Sequence, residues 1–239
     1  MRPLESKLAV VTGASRGIGA ASAAALAGAG ATVVRLSRTL EEGTHGAYRD
    51  LRCDLVVVHA IVRTATRILG EWGAPHIVVQ NAGLFVLKPF EATELAELEQ
   101  QYALNLRAPF VLAQALLPAM RAAGAGLHVT IGSTCDHRAF PDNAAYTASK
   151  FGLRGLHESL AVEYAGTGVR FSLVSPGSTD TEIWDPFDPD ARPGFLRRSL
   201  MLRPEDVAEA VLFVATRPPH ATVEWLRLSP NLGESGLNA

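Results

Sequence analysis

Short apolar runs alternate along this chain with longer segments of helical spacing, and this alternation constrains the fold more than any other feature. We predict strands at Lys7–Thr12, Ala31–Leu36, Arg49–Asp54, His76–Gln80, Leu127–Gly132, Val169–Val174 and Val223–Leu228. We predict a first helix that ends at Gly28. Four further helices are predicted at Val56–Trp72, Glu94–Ala123 (bent at Pro109), Ala145–Ala165 and Pro204–Thr216. Strands that alternate with helices form right-handed βαβ units. The expected fold is therefore α/β, a doubly wound parallel sheet in a single domain over residues 1–239.

Composition narrows the partners and the compartment. A net charge of -2 gives no electrostatic reason to expect nucleic acid or an anionic membrane as a partner. No apolar run approaches the roughly 20 residues that span a bilayer, and no signal-like apolar region opens the chain. Cys53 and Cys135 are the only cysteines, too few for a disulfide framework. We therefore expect a cytoplasmic protein without a membrane span.

A glycine-rich turn, Thr12–Gly19, lies between the first strand and the first helix. Gly13 permits a tight turn, Gly17 lets backbone amides approach a pyrophosphate, and Gly19 allows close packing of helix on strand. The N–H groups at a helix N-terminus favour an anion. The turn predicts Rossmann-type dinucleotide binding, and its remaining candidate contacts are Ser15, Arg16 and Ile18.

Further motifs follow in order along the chain. Asn81-Ala82-Gly83 comes after the fourth strand, Asn105 lies in the long helix, and Ser133 follows the fifth strand. The other members of the set are Asp54 with Leu55, Tyr146 with Lys150, and Pro176-Gly177 with Thr179 and Thr181. Together with the Gly-x3-Gly-x-Gly spacing, this set resembles the short-chain dehydrogenase/reductase family over most of the chain. The resemblance implies that Asp54 contacts the adenine and that the segment from Pro176 to Thr181 holds the nicotinamide carboxamide.

The candidate catalytic residues are Asn105, Ser133, Tyr146 and Lys150. Tyr146 and Lys150 are four residues apart, so on a helix they share a face. A nearby ammonium lowers the pKa of a phenol, which is otherwise about 10 and too high for efficient proton transfer near neutrality. Tyr146 could then exchange a proton with a carbonyl or alcohol substrate while Ser133 holds the same oxygen. The resemblance further implies that Lys150 binds the nicotinamide ribose and that Asn105 helps to hold a relay water.

The end of the second strand predicts a preference for NADP. An acidic residue at that position would bind the ribose 2′-hydroxyl of NAD. This chain has Ser37 and Arg38 there, and Arg16 could approach a 2′-phosphate from the glycine-rich turn. Only fifteen residues separate Arg38 from Asp54, so we expect the helix between the second and third strands to be reduced to a turn or loop.

Two segments predict a lid and an oligomer. Residues Ser178–Arg198 are rich in proline, glycine and aspartate, and Trp184, Phe187 and Phe195 could cover a substrate. The family resemblance implies a homodimer or homotetramer that associates through two long helices. A stripe of small residues on the helix Ala145–Ala165 would supply the contact, namely Ala148, Gly152, Gly155 and Ser159.

Other functions remain open at this point. A nucleotide-sensing regulator without turnover would share the fold, although it would not need all four candidate catalytic residues. An epimerase or dehydratase could use the same tyrosine and lysine, but such enzymes usually carry a C-terminal substrate domain. Asp136 and His137 beside Ser133 suggest a hydrolase triad, yet no Gly-x-Ser-x-Gly elbow surrounds that serine. The histidines lack metal-ligand spacing, so we assign no metal.

Overall fold

The computed structural model describes residues 2–231. Met1 and residues 232–239, which the predicted domain includes, lie outside the described part. The strands are β1 (Leu8–Thr12), β2 (Thr32–Ser37), β3 (Gly43–His45), β4 (Tyr48–Arg52), β5 (Ile77–Gln80), β6 (Gly126–Ile131), β7 (Val169–Pro176) and β8 (Trp225–Leu228). The α-helices are α1 (Gly17–Gly28), α2 (Val58–Trp72), α3 (Leu95–Tyr102), α4 (Ala108–Ala122), α5 (Ala144–Glu163) and α6 (Pro204–Ala215).

All eight strands form one sheet, in the order β3-β4-β2-β1-β5-β6-β7-β8. Every pair is parallel except the edge pair β3–β4. The chain runs outward from β1 in one direction and then returns to place β5 on its other side. In such a sheet ligands bind at the carboxyl ends of the strands, where the order reverses. The fold class predicted from the sequence is confirmed.

Both faces of the sheet are buried, which explains the nearly continuous apolar runs. Alternate side chains of a strand point to opposite faces. Leu8 and Val10 of β1 pack with α2 and α4 on one face, while Ala9 and Val11 pack with α1 and α6 on the other. Parallel strands thus place their ends, and the loops that follow them, on a rigid support.

The connection between β2 and β4 contains no helix, as its length predicts. It holds instead the short strand Gly43–His45, which pairs antiparallel with β4. Three polar or small residues give no apolar alternation, so this strand could not be predicted from the sequence. Next to it, Arg35 donates two hydrogen bonds of 2.6 Å to the buried Asp50 carboxylate, which joins β2 to β4.

The long helix predicted over Glu94–Ala123 is interrupted by a π-helical turn, Ala103–Arg107. The interruption precedes Pro109, which lies in the first turn of α4, so the predicted bend is shifted toward Asn105. Within Leu95–Ala122, an 18-residue window has a mean hydropathy of 1.2, so by length and composition alone this stretch passes the test for a membrane span. Half of that apolar window is buried inside the protein. Packing against the sheet accounts for its apolar character.

Candidate active site

The glycine-rich turn brings backbone close to the loop after β5. Gly13 has a φ of +65°, and a Cβ at this position would lie 2.9 Å from Ala82 Cα. A Cβ on Gly19 would collide with the Gly13 carbonyl and the Asn81 side chain. Arg16 precedes α1 without a side-chain cap, so no side chain occupies the first N–H groups of the helix. The turn therefore fits a pyrophosphate, because the backbone is bare and its donors are uncapped.

Thr12 and Asn81 join the ends of β1 and β5. The Thr12 hydroxyl accepts from the backbone N–H groups of Asn81, at 2.9 Å, and Ala82, at 3.0 Å. Asn81 Nδ2 donates back to the Thr12 carbonyl at 2.9 Å. Gly83 follows in the same loop, beside Asn105 and Lys150. The predicted Asn81-Ala82-Gly83 motif thus holds the loop after β5 in place between the glycine-rich turn and the candidate catalytic residues.

The end of β2 presents polar and basic groups. Ser37 is buried and its hydroxyl accepts from Thr39 N, whereas Arg38 is exposed. Arg16 is exposed as well, and within residues 2–231 neither arginine forms a salt bridge. Both guanidinium groups are thus unneutralised by carboxylates of the described chain. In the loop after β4, Asp54 accepts a hydrogen bond from Val56 N at 3.0 Å, and Leu55 is buried.

The segment after β7 passes next to the glycine turn. Gly177 N donates to Leu228 O at 2.7 Å, which ties Pro176-Gly177 to β8. Thr179 is buried, and the methyl group of Thr181 lies 3.1 Å from where a Gly17 Cβ would be. The predicted carboxamide-binding segment and the predicted phosphate-binding turn are therefore neighbours.

The predicted lid is mostly irregular but is held at both ends. It contains a 3-10 helix, Glu182–Phe187. Arg198 donates to Asp180 at 2.9 Å and to Asp185 at 2.6 Å, so its guanidinium fastens the end of the segment to the beginning. Trp184 Nε1 donates to Thr179 O at 3.1 Å.

Asn105 is fully buried in the π turn. Its Oδ1 accepts from Leu84 N at 2.7 Å, and its Nδ2 donates to Leu84 O at 2.9 Å and to Ser149 Oγ at 3.0 Å. The side chain therefore fastens the loop after β5 to α5. Since Pro109 has no N–H, the backbone carbonyl of Asn105 lacks the donor that an α-helix would give it.

Tyr146 and Lys150 lie on one face of α5, as their spacing predicts. Lys150 is buried, its Nζ donates to Ile131 O at 3.0 Å, and it lies 5.7 Å from the centre of the Tyr146 ring. Burial lowers the pKa of Lys150 to about 8. Burial also raises the pKa of Tyr146 above its usual value, and the neighbouring Cys135 and Asp136 add to the rise. This differs from the expected lowering by Lys150, because the effect of desolvation on the phenol outweighs that of the ammonium at this distance.

Ser133 opens a 3-10 turn, Thr134–Asp136, at the end of β6. Its Oγ accepts from Cys135 N at 3.1 Å, which leaves the hydroxyl proton free to be donated. Its own N–H donates to Asp136 Oδ2 at 3.0 Å. Cys135 is buried in this turn, in agreement with a packing role. The turn orients Ser133 toward the side of the sheet where Tyr146 lies.

An aromatic cluster that sequence reasoning missed in part covers Tyr146. The ring of Phe85 lies 4.8 Å from Tyr146, 5.3 Å from Trp184 and 5.1 Å from Phe187 in edge-to-face contacts. Trp184 in turn packs on Phe195 at 6.3 Å. The three lid aromatics were candidates from the sequence, whereas Phe85 was not. Its position two residues after Gly83 was the signal that could have found it.

No group of three histidine, cysteine, aspartate or glutamate side chains within residues 2–231 could hold a metal ion.

The parallel sheet brings the candidate residues that follow β1, β2, β4, β5, β6 and β7 to the crevice outside the carboxyl ends of its strands. An uncapped helix N-terminus, together with a half-buried tyrosine one helical turn from a buried lysine, is the arrangement of a dinucleotide-dependent oxidoreductase.

The comparisons with known proteins agree. Residues 7–192 match the family model described as short chain dehydrogenase, and the chain belongs to this family. It is accordingly an oxidoreductase that transfers hydride between a nicotinamide cofactor, NAD or NADP, and a small-molecule alcohol or carbonyl compound. The family resemblance seen in the sequence is confirmed.

Several characterised relatives are similar over nearly the whole chain. D-threitol dehydrogenase of Mycolicibacterium smegmatis is 34% identical over 226 residues, which cover 89% of this chain and 87% of the relative. Cis-4-hydroxycyclohexanecarboxylate dehydrogenase of Sinomonas cyclohexanicum is 32% identical over 88% of this chain and 89% of its own. The crystal structure of a metagenomic short-chain oxidoreductase in complex with NADP is 36% identical, with a TM-score of 0.82 over 97% of this chain and 100% of that one. None of these relatives supports the regulatory alternative.

Proposed function

We propose that this protein is an NADP(H)-dependent dehydrogenase/reductase that interconverts a ketone, or a 3-oxo compound, with the corresponding secondary alcohol. The observation that carries the proposal is the juxtaposition of the uncapped α1 N-terminus, the Tyr146–Lys150 pair and Ser133 in one crevice. When bound, the reduced nicotinamide supplies a hydride to the carbonyl carbon. The proposed residues of the protein manage the oxygen and its proton.

Tyr146 is the proposed general acid in the reduction and the general base in the oxidation. Burial keeps its phenol protonated in the free protein. The phenol gives its proton to the carbonyl oxygen as negative charge develops there, because an alkoxide is a much stronger base than a phenolate. Ser133 donates a hydrogen bond to the same oxygen, because Cys135 N already occupies an acceptor site of its hydroxyl. Lys150 adds positive charge beside the phenol and binds the nicotinamide ribose. Asn105 holds the loop after β5 and offers its backbone carbonyl to a relay water.

The cofactor-binding residues follow the same crevice. The pyrophosphate lies against the α1 N-terminus, the adenine against Asp54 and Leu55, and the carboxamide against the segment from Pro176 to Thr181. Arg16 and Arg38, which are exposed and form no salt bridge within residues 2–231, bind the 2′-phosphate, and Ser37 adds a neutral hydrogen bond. Charge-assisted hydrogen bonds contribute about 1.5–3 kcal/mol each. The metagenomic relative that was crystallised with NADP supports this preference.

The segment 178–198 is the proposed lid. Its aromatic side chains already meet Phe85 above Tyr146, so they would exclude water from the reacting atoms. The Arg198 clamp joins the two ends of the segment and lets it move as a unit.

We also propose a homo-oligomer, dimer or tetramer, located in the cytoplasm. Ala148, Gly155 and Ser159 are exposed on α5. Phe151 on α5 is 47% exposed and Phe110 on α4 is 50% exposed, so each of the two helices presents a large apolar side chain at the surface. A second copy of the chain would cover these two helices by two-fold symmetry. The unpaired state of both cysteines fits a reducing compartment.

Replacement of the Tyr146 phenol tests the chemistry. Tyr146→Phe should lower kcat by at least about 100-fold, the effect of one acid–base group. NADPH binding, measured by fluorescence titration, should stay close to that of the wild type, since the hydroxyl contributes little to holding the cofactor. The substrate is chosen from a panel of ketones, aldehydes and 3-oxo esters. Normal turnover by the phenylalanine variant would refute the assignment, and absence of turnover by the wild type on every panel member would refute the function.

A further inference from the structure

Asp136 is a fully buried carboxylate that the reaction scheme above does not use. Its Oδ2 accepts from Ser133 N at 3.0 Å and from Ser175 Oγ at 2.6 Å, and its Oδ1 pairs with His137 Nδ1 at 2.7 Å. Ser175 is fixed in turn by Trp225 Nε1, which donates to its Oγ at 2.8 Å. Asp136 therefore joins the turn after β6 directly to β7, and β8 is linked to it through Ser175.

The carboxylate lies directly beneath the backbone that carries Ser133. A Cβ on Gly132 would collide with Asp136 Oδ2, so glycine is required for this approach. At the other end of the same three residues, Lys150 Nζ donates to Ile131 O. The segment Ile131-Gly132-Ser133 is thus held by an ammonium at its first carbonyl and by a carboxylate at its last N–H. Oppositely charged side chains grip both ends of the segment that places the Ser133 hydroxyl.

The same carboxylate influences the charges of its neighbours. Asp136 raises the pKa of Lys150 against the lowering caused by burial, and it contributes to the raised pKa of Tyr146. The other titratable groups that face this region are Cys135 and His137 on the same turn and His157 on α5. Arg154 and Arg227 lie farther out, over the Trp225 ring at 4.3 and 5.0 Å. Asp136 is therefore the buried anion that favours the ammonium form of Lys150.

We propose that Asp136 is a positioning residue that fixes the Ser133 hydroxyl at the reacting oxygen and keeps Lys150 charged. The proposal rests on the proposed function for its kinetic consequence, while its electrostatic consequence can be measured without a substrate. Substitution of Asp136 tests both consequences, since the same carboxylate accepts from Ser133 N and favours the ammonium form of Lys150.

Lysine NMR tests the electrostatic part. The chain has three lysines, Lys7, Lys88 and Lys150, so protein labelled with ε-13C-lysine gives three signals, and Lys150→Met identifies the third. Asp136→Asn keeps an acceptor for Ser133 N but removes the charge, and it should lower the pKa of Lys150 by about one unit or more. Asp142→Asn is the matched control: it removes a charge from the same loop, and asparagine tolerates the φ of +59° at that position. In Asp142→Asn, Lys150 should titrate as in the wild type. In Asp136→Asn, the titrations of Lys7 and Lys88 should be unchanged.

Kinetics test the positioning part. Asp136→Ala, which removes the acceptor for Ser133 N, should lower kcat about tenfold or more, as expected for a misplaced oxyanion donor, with the KM for NADPH almost unchanged. Ser175→Ala keeps the carboxylate, so it should leave the Lys150 titration unchanged and reduce kcat less. If Asp136→Asn does not fold, as judged by circular dichroism, Asp136→Ser offers a second neutral side chain that can accept from Ser133 N.

The outcomes are distinct. A wild-type pKa for Lys150 in a folded neutral variant would overturn the proposal, and so would a wild-type kcat in Asp136→Ala. If no substrate is turned over by the wild-type enzyme, the proposed function fails, but the Lys150 titration still decides whether Asp136 controls that charge.

Discussion

A buried pair of histidines should make this protein sensitive to acid. His128 on β6 and His157 on α5 are 3% and 4% exposed, with ring centres 6.4 Å apart. His157 Nδ1 is hydrogen-bonded to Thr130 Oγ1 at 2.8 Å, whereas neither ring nitrogen of His128 has a partner in the described part of the chain. Burial lowers the pKa of His128 to about 3 and that of His157 to about 4. Both side chains are therefore neutral in the folded protein at pH 5.

The sign and size of the effect follow from linkage. In the unfolded chain these histidines have a pKa near 6.5. Below that pH the unfolded state binds more protons than the folded state, so it is stabilised relative to the folded state. The stabilisation present above pH 6.5 is lost as the pH falls toward the folded pKa values. Between pH 8 and pH 5 each histidine should lower the free energy of unfolding by about 2 kcal/mol. The amount is set by the unfolded pKa, because both folded values lie below 5.

Urea unfolding at pH 8, 7, 6 and 5, followed by circular dichroism, measures this loss. We expect His128→Leu to lose about 2 kcal/mol less than the wild type between pH 8 and pH 5. The comparison uses the change with pH, so any constant effect of the substitution on packing cancels. His59→Leu, at an exposed position of α2, should follow the wild type. Parallel curves for His128→Leu and the wild type would show that His128 is protonated in the folded state and would refute the reasoning.

Three further predictions concern the proposed function. Arg38→Asp should abolish or reverse a preference for NADPH that we expect to reach about 100-fold in kcat/KM at low salt; equal use of NADPH and NADH by the wild type would contradict it. Limited proteolysis within 178–198 should slow when NADP and a substrate analogue are added, and equal cleavage rates with and without these ligands would exclude a lid. Light scattering at micromolar concentration should give a multiple of 25.4 kDa, while Phe110→Glu and Phe151→Glu should weaken the assembly; a monomeric wild type would disprove the oligomer.

The sequence predicted the central strands well because each is buried on both faces and has few polar interruptions. β1, with five buried residues in a row, is an example. The sequence did not predict the edge strand β3, because Gly43–His45 pairs with β4 through its backbone and its side chains show no apolar alternation. The π turn was missed for a related reason: Asn105 and Pro109 suggest an irregular helix, but only the packing of Asn105 against Leu84 and Ser149 fixes where the extra residue goes.

The candidate site shows the same division between local and distant information. Spacing along one helix places Tyr146 and Lys150 together, and order along the chain predicts the glycine turn and Asn81. The hydrogen-bond network of Asp136 reaches Ser175, 39 positions away in the sequence, and through Ser175 it reaches Trp225, 89 positions away from Asp136. No local sequence pattern could reveal such a network. The pair Asp136-His137 was visible in the sequence, but its meaning depended on which side chains the sheet brought beneath it.

The two halves of the crevice place opposite demands on their surroundings. Burial shifts the pKa values of both Lys150 and Tyr146, which suits the proton transfer that we propose for them. Arg38 and Arg16, the proposed ligands of the 2′-phosphate, are exposed, so their guanidinium groups keep most of their hydration before the cofactor binds. One rigid sheet serves both needs, because its central strands end in a buried floor whereas β2 ends near the solvent. An exchange between the two environments would therefore be destructive: a lysine at position 38 would bind a phosphate less specifically, and an arginine at position 150 could not lower its pKa to respond to the substrate.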